Sequence, residues 1–171
     1  MRRSNKIPRQ RGEPRLIGHP LQCKKVWATW LDSLAPWTHA VTLTCKRQSH
    51  RNLPITDQII NSSARHLVQR INTKCFGKRA HKGDSVAVVA TYGWGVYDLH
   101  PHLHFCFECP PHLSYEAFSA LIEEAANETY WIDRQRCTKP YLDEGWASYL
   151  IRHGTDQLIV DLIVPSASCT A

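Results

Sequence analysis

Residues 85–109 read SVAVVATYGWGVYDLHPHLHFCFEC. The first eight, Ser85 to Tyr92, form a Val-rich run that reads as a buried strand. Gly93 and Gly95 mark a turn, and a second strand begins near Pro101, where a proline is tolerated, and ends at Cys109 before Pro110 and Pro111. Two consecutive strands across a short loop predict a hairpin. Side chains alternate along a strand, so Leu103, Phe105 and Phe107 enter the core while His102, His104, Cys106 and Glu108 project from the opposite face.

The flanking segments supply the rest of the fold. Upstream, Val26, Trp27, Trp30, Leu31 and Leu34 fall at helical spacing and Pro36 ends the run. His39 to Lys46 alternates as a half-buried strand. Thr56 and Asp57 are good cap types for a long helix carrying Ile59, Ile60, Leu67, Val68 and Ile71, followed by a basic loop, residues 77–84. Downstream, Ser114 caps a helix with Phe118, Leu121, Ile122 and Ala125 on its apolar face. Tyr130 to Thr138 predicts a strand, Asp143 to His153 a last helix stopped by Gly154, and Leu158 to Val164 an edge strand or packing segment. This order predicts an α+β fold, a central antiparallel β-sheet of about four to five strands with packed helices, of the split βαβ, RRM-like type.

With 171 residues, 43% of them hydrophobic and 21% charged, the chain has the size and composition of one globular domain with a tail. No apolar run approaches the ~20 residues that cross a bilayer, so neither a membrane span nor a secretory signal is expected. Seven scattered cysteines, an odd number, argue against a disulfide scaffold and for a reducing setting, cytoplasmic or, in a eukaryotic host, nuclear. Charge is unevenly placed. Residues 1–25 hold eight basic groups, Arg2, Arg3, Lys6, Arg9, Arg11, Arg15, Lys24 and Lys25, against Glu13 alone, a net of +7, whereas the other 146 residues carry 13 basic and 14 acidic groups. The expected layout is a flexible basic arm over 1–25, a short lead-in helix over 26–36, the main domain over 37–164 and a tail over 165–171. Such an arm, together with Lys46 and Arg47, attracts polyanions, although it reads equally as a solubilising tail or a compartment address.

Two segments can do chemistry. His102 and His104, two apart on one strand, lie about 7 Å apart in Cα and can converge on one metal ion. Taken alone they read as two histidines on a wet sheet face, and His100, Asp98 and Glu108 are nearby alternatives as ligands. Cys106 and Cys109 have Cys-x-x-Cys spacing, but a strand puts residues three apart on opposite faces, which argues against a zinc site. In GWASYLIRHG, residues 145–154, Trp146, Tyr149, Leu150 and His153 form one helical stripe. The plain reading is a helix packing Trp and Tyr on a sheet. The sharper one notes a phenol nucleophile, an imidazole four residues on, and the cation Arg152.

These segments carry a resemblance. AVTLTCK (40–46), HLHF (102–105) and Tyr149-Leu150-Ile151-Arg152-His153-Gly154, in this order and spacing, resemble the three motifs of the HUH endonuclease superfamily: Rep initiators of rolling-circle replication, relaxases and single-tyrosine transposases. The match spans roughly residues 37–164. It implies metal-dependent, site-specific nicking and rejoining of single-stranded or hairpin DNA through a 5′-phosphotyrosine on Tyr149, serving replication or transposition of a mobile element. It also implies a divalent metal, Mg or Mn, held by His102, His104 and a third ligand. Two positions depart from the pattern. The usual lysine after the tyrosine is Arg152, which keeps the charge but does not give up a proton. The strand before the histidines carries no Glu, the third ligand of the viral initiators; single-tyrosine transposases take it from the position four after the nucleophile, so their resemblance implies His153, with Asp98, His100 and Glu108 in reserve. Tyr141 lies too far along the chain to pair with Tyr149, so one tyrosine is expected to act. No Gly-x-x-x-x-Gly-Lys-(Ser/Thr) loop is present, and strand separation would fall to a host helicase. Two other readings stay open: a non-catalytic single-stranded nucleic-acid-binding module on an RRM-like sheet, and a metal-dependent hydrolase using a metal-bound water.

Overall fold

A computed structural model describes residues 20–95, 100–142, 145–152 and 156–167. The elements run α1 (Pro20–Asp32), β1 (His39–Cys45), α2 (Asp57–Phe76), a 3-10 turn (Gly77–Lys82), β2 (Val88–Trp94), β3 (Pro101–Phe107), α3 (Tyr115–Asn127), β4 (Ile132–Pro140), α4 (Gly145–Leu150) and β5 (Leu158–Val164). The five strands form one sheet in the order β4-β1-β3-β2-β5, and every neighbouring pair is antiparallel. The α+β class and the antiparallel sheet with packed helices are as the sequence predicts, and β4-β1-β3-β2 is the split βαβ order.

The long helices are built by caps and periodicity. The Thr56 hydroxyl accepts the Ile59 N–H at 3.3 Å to start α2, and Gly77, at φ +56°, leaves it in a conformation open to glycine. Ile60, Ala64, Leu67, Val68 and Ile71 are buried at helical spacing along one face. In α3 the Ser114 hydroxyl accepts the Ala117 N–H at 3.1 Å, and Phe118, Ile122, Ala125 and Ala126 turn inward. These two faces close over Val41, Leu43, Val88, Ala90, Leu103, Phe105 and Phe107, which make the larger core. His39 is wholly buried there, bonded to Thr38 Oγ1 at 2.7 Å and Ser119 Oγ at 3.0 Å and stacked on Tyr115; burial lowers its pKa.

The opposite face departs from the wet surface expected for His102 and His104. Helices α1 and α4 cover part of it, with Ala28, Leu31, Ala147, Leu150 and Ile151 packed on Ala87, Val89 and Cys106 as a second core. Apolar residues on both sides of this layer explain the cover: each leaves water only when the other is present.

Several boundaries also differ. Helix α1 starts at Pro20, so Lys24 and Lys25 sit on a helix and not in a flexible arm, and it stops at Asp32. Helix α4 spans six residues and ends at Leu150; the Arg152 N–H donates to the Tyr149 carbonyl at 3.2 Å in the turn that follows. Among the described residues Cys45, Cys75, Cys106, Cys109 and Cys137 are free thiols, and burial pushes Cys45 up to about 12 and Cys75 up to about 11. Among the described residues no helix is long and apolar enough to cross a membrane.

Candidate active site

Strand pairing assembles the site. β1 and β3 run in register with Thr42 opposite His104 and Thr44 opposite His102, and β2 places Thr91 opposite His104 on the other side. Residues opposite one another share a face, so two imidazoles and three threonines line one side of three neighbouring strands. The ring centroids of His102 and His104 are 6.3 Å apart. His104 is 5% exposed, and its Nδ1 meets Thr42 Oγ1 at 3.0 Å, which satisfies and orients the buried ring. Thr91, 1% exposed, has a hydroxyl with no hydrogen-bond partner among the described residues.

Helix α4 brings the tyrosine to this strand. Tyr149 and His104 meet edge to face, with centroids 5.1 Å apart and planes at 85°. Trp146, one turn earlier, lies parallel to Tyr149 at 4.8 Å, and its indole N–H donates to the Phe105 carbonyl at 3.3 Å. The Arg152 guanidinium carbon stands 4.0 Å over the same ring. Tyr149 is thus held by both an indole and a cation. Its hydroxyl makes no hydrogen bond among the described residues. The carbonyl of Arg152 accepts from Lys24 Nζ at 2.8 Å, which ties the turn to α1. A groove of about 540 Å³, lined among others by Thr42, Cys137, Lys139, Trp146 and Tyr149, opens beside the ring along β4.

Tyr141 lines the same groove in another role. Its hydroxyl donates to Asp32 Oδ1 at 2.5 Å, and burial together with this carboxylate raises its pKa, so the phenol stays protonated and joins the segment before α4 to α1.

The remaining expected site residues divide. Among the described residues no three His, Cys, Asp or Glu side chains form a metal-sized cluster. Glu108 is four residues from His104, about 13 Å along an extended chain, and lines a separate pocket with Phe76 and Pro110, so it is not a ligand beside His102 and His104. His100 precedes β3, where its carbonyl accepts the Gly95 N–H at 2.9 Å. Asp98, His153, Arg2, Arg3, Arg9 and Arg11 lie outside the described residues. Lys46 donates to the Tyr130 carbonyl at 2.5 Å and lies 4.5 Å over that ring, a structural engagement at the sheet end where His102 sits, and Arg47 is exposed beside it.

Sequence reading missed Thr42 as the partner of His104, Trp146 as the brace of Tyr149, and the Tyr141–Asp32 bond. The first was marked only by Thr42 lying on the polar side of its strand, and the last spans 109 residues with no local signal. His102 and His104 fit one half of a divalent site: two imidazoles adjacent on one strand face, one already oriented by a hydroxyl, beside the buried Thr91 hydroxyl. Comparison with protein-family models, with curated proteins and with solved structures finds no match for this chain.

Proposed function

We propose that this chain is a single-tyrosine DNA endonuclease and strand transferase of the HUH type, nicking and rejoining single-stranded or hairpin DNA of a mobile element. The observation that carries the reading is the contact of Tyr149 with His104: a phenol from α4 and an imidazole from β3, 45 residues apart in sequence, meet at 5.1 Å beside an open groove. His102 and His104 would hold Mg or Mn, whose charge stabilises the extra negative charge of a pentavalent phosphorane. Trp146 and Arg152 fix the Tyr149 ring, and Arg152 supplies a permanent cation near the attacked phosphate. The Tyr149 oxygen forms a bond to phosphorus as the bond from phosphorus to the 3′ oxygen breaks. The phenol proton departs, the leaving oxygen takes one up as a free 3′ hydroxyl, and the 5′ end stays on the enzyme. Rejoining reverses these steps, so no nucleotide cofactor is consumed. Strand separation falls to a helicase of the host.

The test incubates the protein and Tyr149→Phe with a labelled single-stranded oligonucleotide and Mn, resolves products on a denaturing gel and maps any adduct by peptide mass. Cleavage with an adduct on Tyr149, both lost in the variant, is the expected result. Cutting without an adduct would point to a metal-bound water, and binding with no cutting to a non-catalytic nucleic-acid module; either overturns the proposal.

A further inference from the structure

The inner side of α1 is used up by the second core, where Ala28 and Leu31 are buried together with Ala35 just beyond the helix. Its outer side nevertheless carries large aromatic rings. Trp27 is 38% exposed, Trp30 is 41% exposed, and Val26 beside them is largely open to solvent. The two indoles meet edge to face with centroids 5.2 Å apart, which holds them fixed relative to each other. A groove of about 640 Å³ runs along this side, lined by Lys25, Val26, Thr29, Trp30 and Ser33.

From this surface we infer a second DNA-binding site, in which Trp27 and Trp30 stack on unpaired bases of the strand that Tyr149 cuts. The inference rests on the nuclease reading above. Charge selects a nucleic acid as occupant: Lys24 and Lys25 precede the indoles on the same helix, and residues 1–25 carry a net of +7, whereas an apolar protein partner would gain nothing from that field. The aromatic faces select a single strand, because only unstacked bases present their planes to a side chain. Position supports the same occupant. Lys24, one turn before Trp27, reaches the Arg152 carbonyl, and Arg152 lies over the Tyr149 ring, so α1 is tied directly to the turn beside Tyr149.

The experiment measures binding of an oligothymidylate by fluorescence anisotropy for the full-length protein, for Trp27→Leu/Trp30→Leu and for Trp27→Phe/Trp30→Phe. Leucine keeps the apolar surface and removes the stacking plane; phenylalanine keeps a plane. The leucine variant is expected to bind on the order of tenfold more weakly per ring, with an unchanged slope of log affinity against log salt, and the phenylalanine variant to recover most of the loss. The adduct on Tyr149 is mapped in parallel for all three proteins, so loss of binding on α1 and failure of Tyr149 as nucleophile give different results. Equal affinity of the leucine variant and wild type would overturn the inference. So would sedimentation showing a wild-type dimer that the leucine variant breaks, which would assign the patch to a second copy of the chain.

Discussion

Two tyrosines line one groove, and the structure gives them opposite responses to the same change. Tyr141→Phe deletes a hydroxyl that donates to Asp32 at 2.5 Å, leaving a carboxylate that loses its partner at the α1 junction. Removing one partner of a buried or half-buried bond to a charged group costs about 1 to 3 kcal/mol. For a domain of this size that lowers the melting temperature by roughly 2 to 4 °C per kcal/mol, hence by about 2 to 12 °C. Tyr149 is untouched, so the nicking proposed for it should continue below the melting range. Tyr149→Phe removes a hydroxyl without a hydrogen bond among the described residues and keeps the stack on Trp146 and the cation of Arg152, so the melting temperature should hold within about 2 °C. Nicking and the covalent adduct should vanish. Calorimetric melting of both variants, alongside the oligonucleotide gel with Mn, separates the two roles. An adduct mapped to Tyr141, or nicking by Tyr149→Phe, would refute the reasoning; so would a large loss of stability on Tyr149→Phe, which would make that residue a packing group.

Replacing Thr42 by Val removes the hydroxyl that orients His104 while keeping its shape, and should weaken Mn binding about 10- to 100-fold in a calorimetric titration; His104→Ala should abolish Mn-dependent nicking altogether. Deleting residues 1–19 removes six of the eight arm cations and should flatten the dependence of DNA affinity on salt, measured by anisotropy across a salt series; an unchanged slope would show that the arm does not touch phosphate. His39 has a lowered pKa, so the unfolded chain takes up its proton first as pH falls: its contribution to stability is complete above about pH 6.5 and is lost below it, at up to about 1.4 kcal/mol per pH unit. His39→Gln should flatten that part of a stability profile measured by denaturant titration between pH 4 and 8, values chosen to bracket the histidine range.

The fold was legible because its signals are local. Alternation in HAVTLTC and PHLHFCF, the cap residues Thr56 and Ser114, and the stripes of the two long helices each lie within a few residues, and strand order follows from connecting them without crossing. The pairing of His102 with His104 was legible for the same reason, being a property of one strand. Burial of the second face was not. Cys106 reads as one position on the outer side of an alternating strand and Val89 as part of an apolar run, with nothing local to name their cover, which comes from Leu31 and Ala147, far away in sequence on either side. The length of α4 was misread because Trp146, Tyr149 and Leu150 continue a helical period into Ile151 and Arg152, while the backbone bond from Arg152 to Tyr149 closes the turn early.

The site lies where the chemistry of one sheet face changes. At one end Ala40, Cys106 and Val89 sit side by side in register; at the other Thr44, His102 and Gly93 do; between them come Thr42, His104 and Thr91. Helices α1 and α4 must bury Leu31, Ala147, Leu150 and Ile151, and only the first end offers apolar partners. Sliding α4 by one turn, about 5.4 Å, toward the other end would press those side chains on His102 and Thr44 and strand their polar atoms. Gly93, opposite His102, adds no side chain to fill that space. The boundary therefore fixes where α4 can rest, and Tyr149, in its last turn, arrives at His104 because that is where apolar cover stops being favourable. A histidine half under an apolar helix needs a hydroxyl partner, which Thr42 gives, and a phenol at that edge keeps one side toward the groove. The same sequence pattern that stops the helix thus brings the Tyr149 ring beside His104 and its neighbour His102.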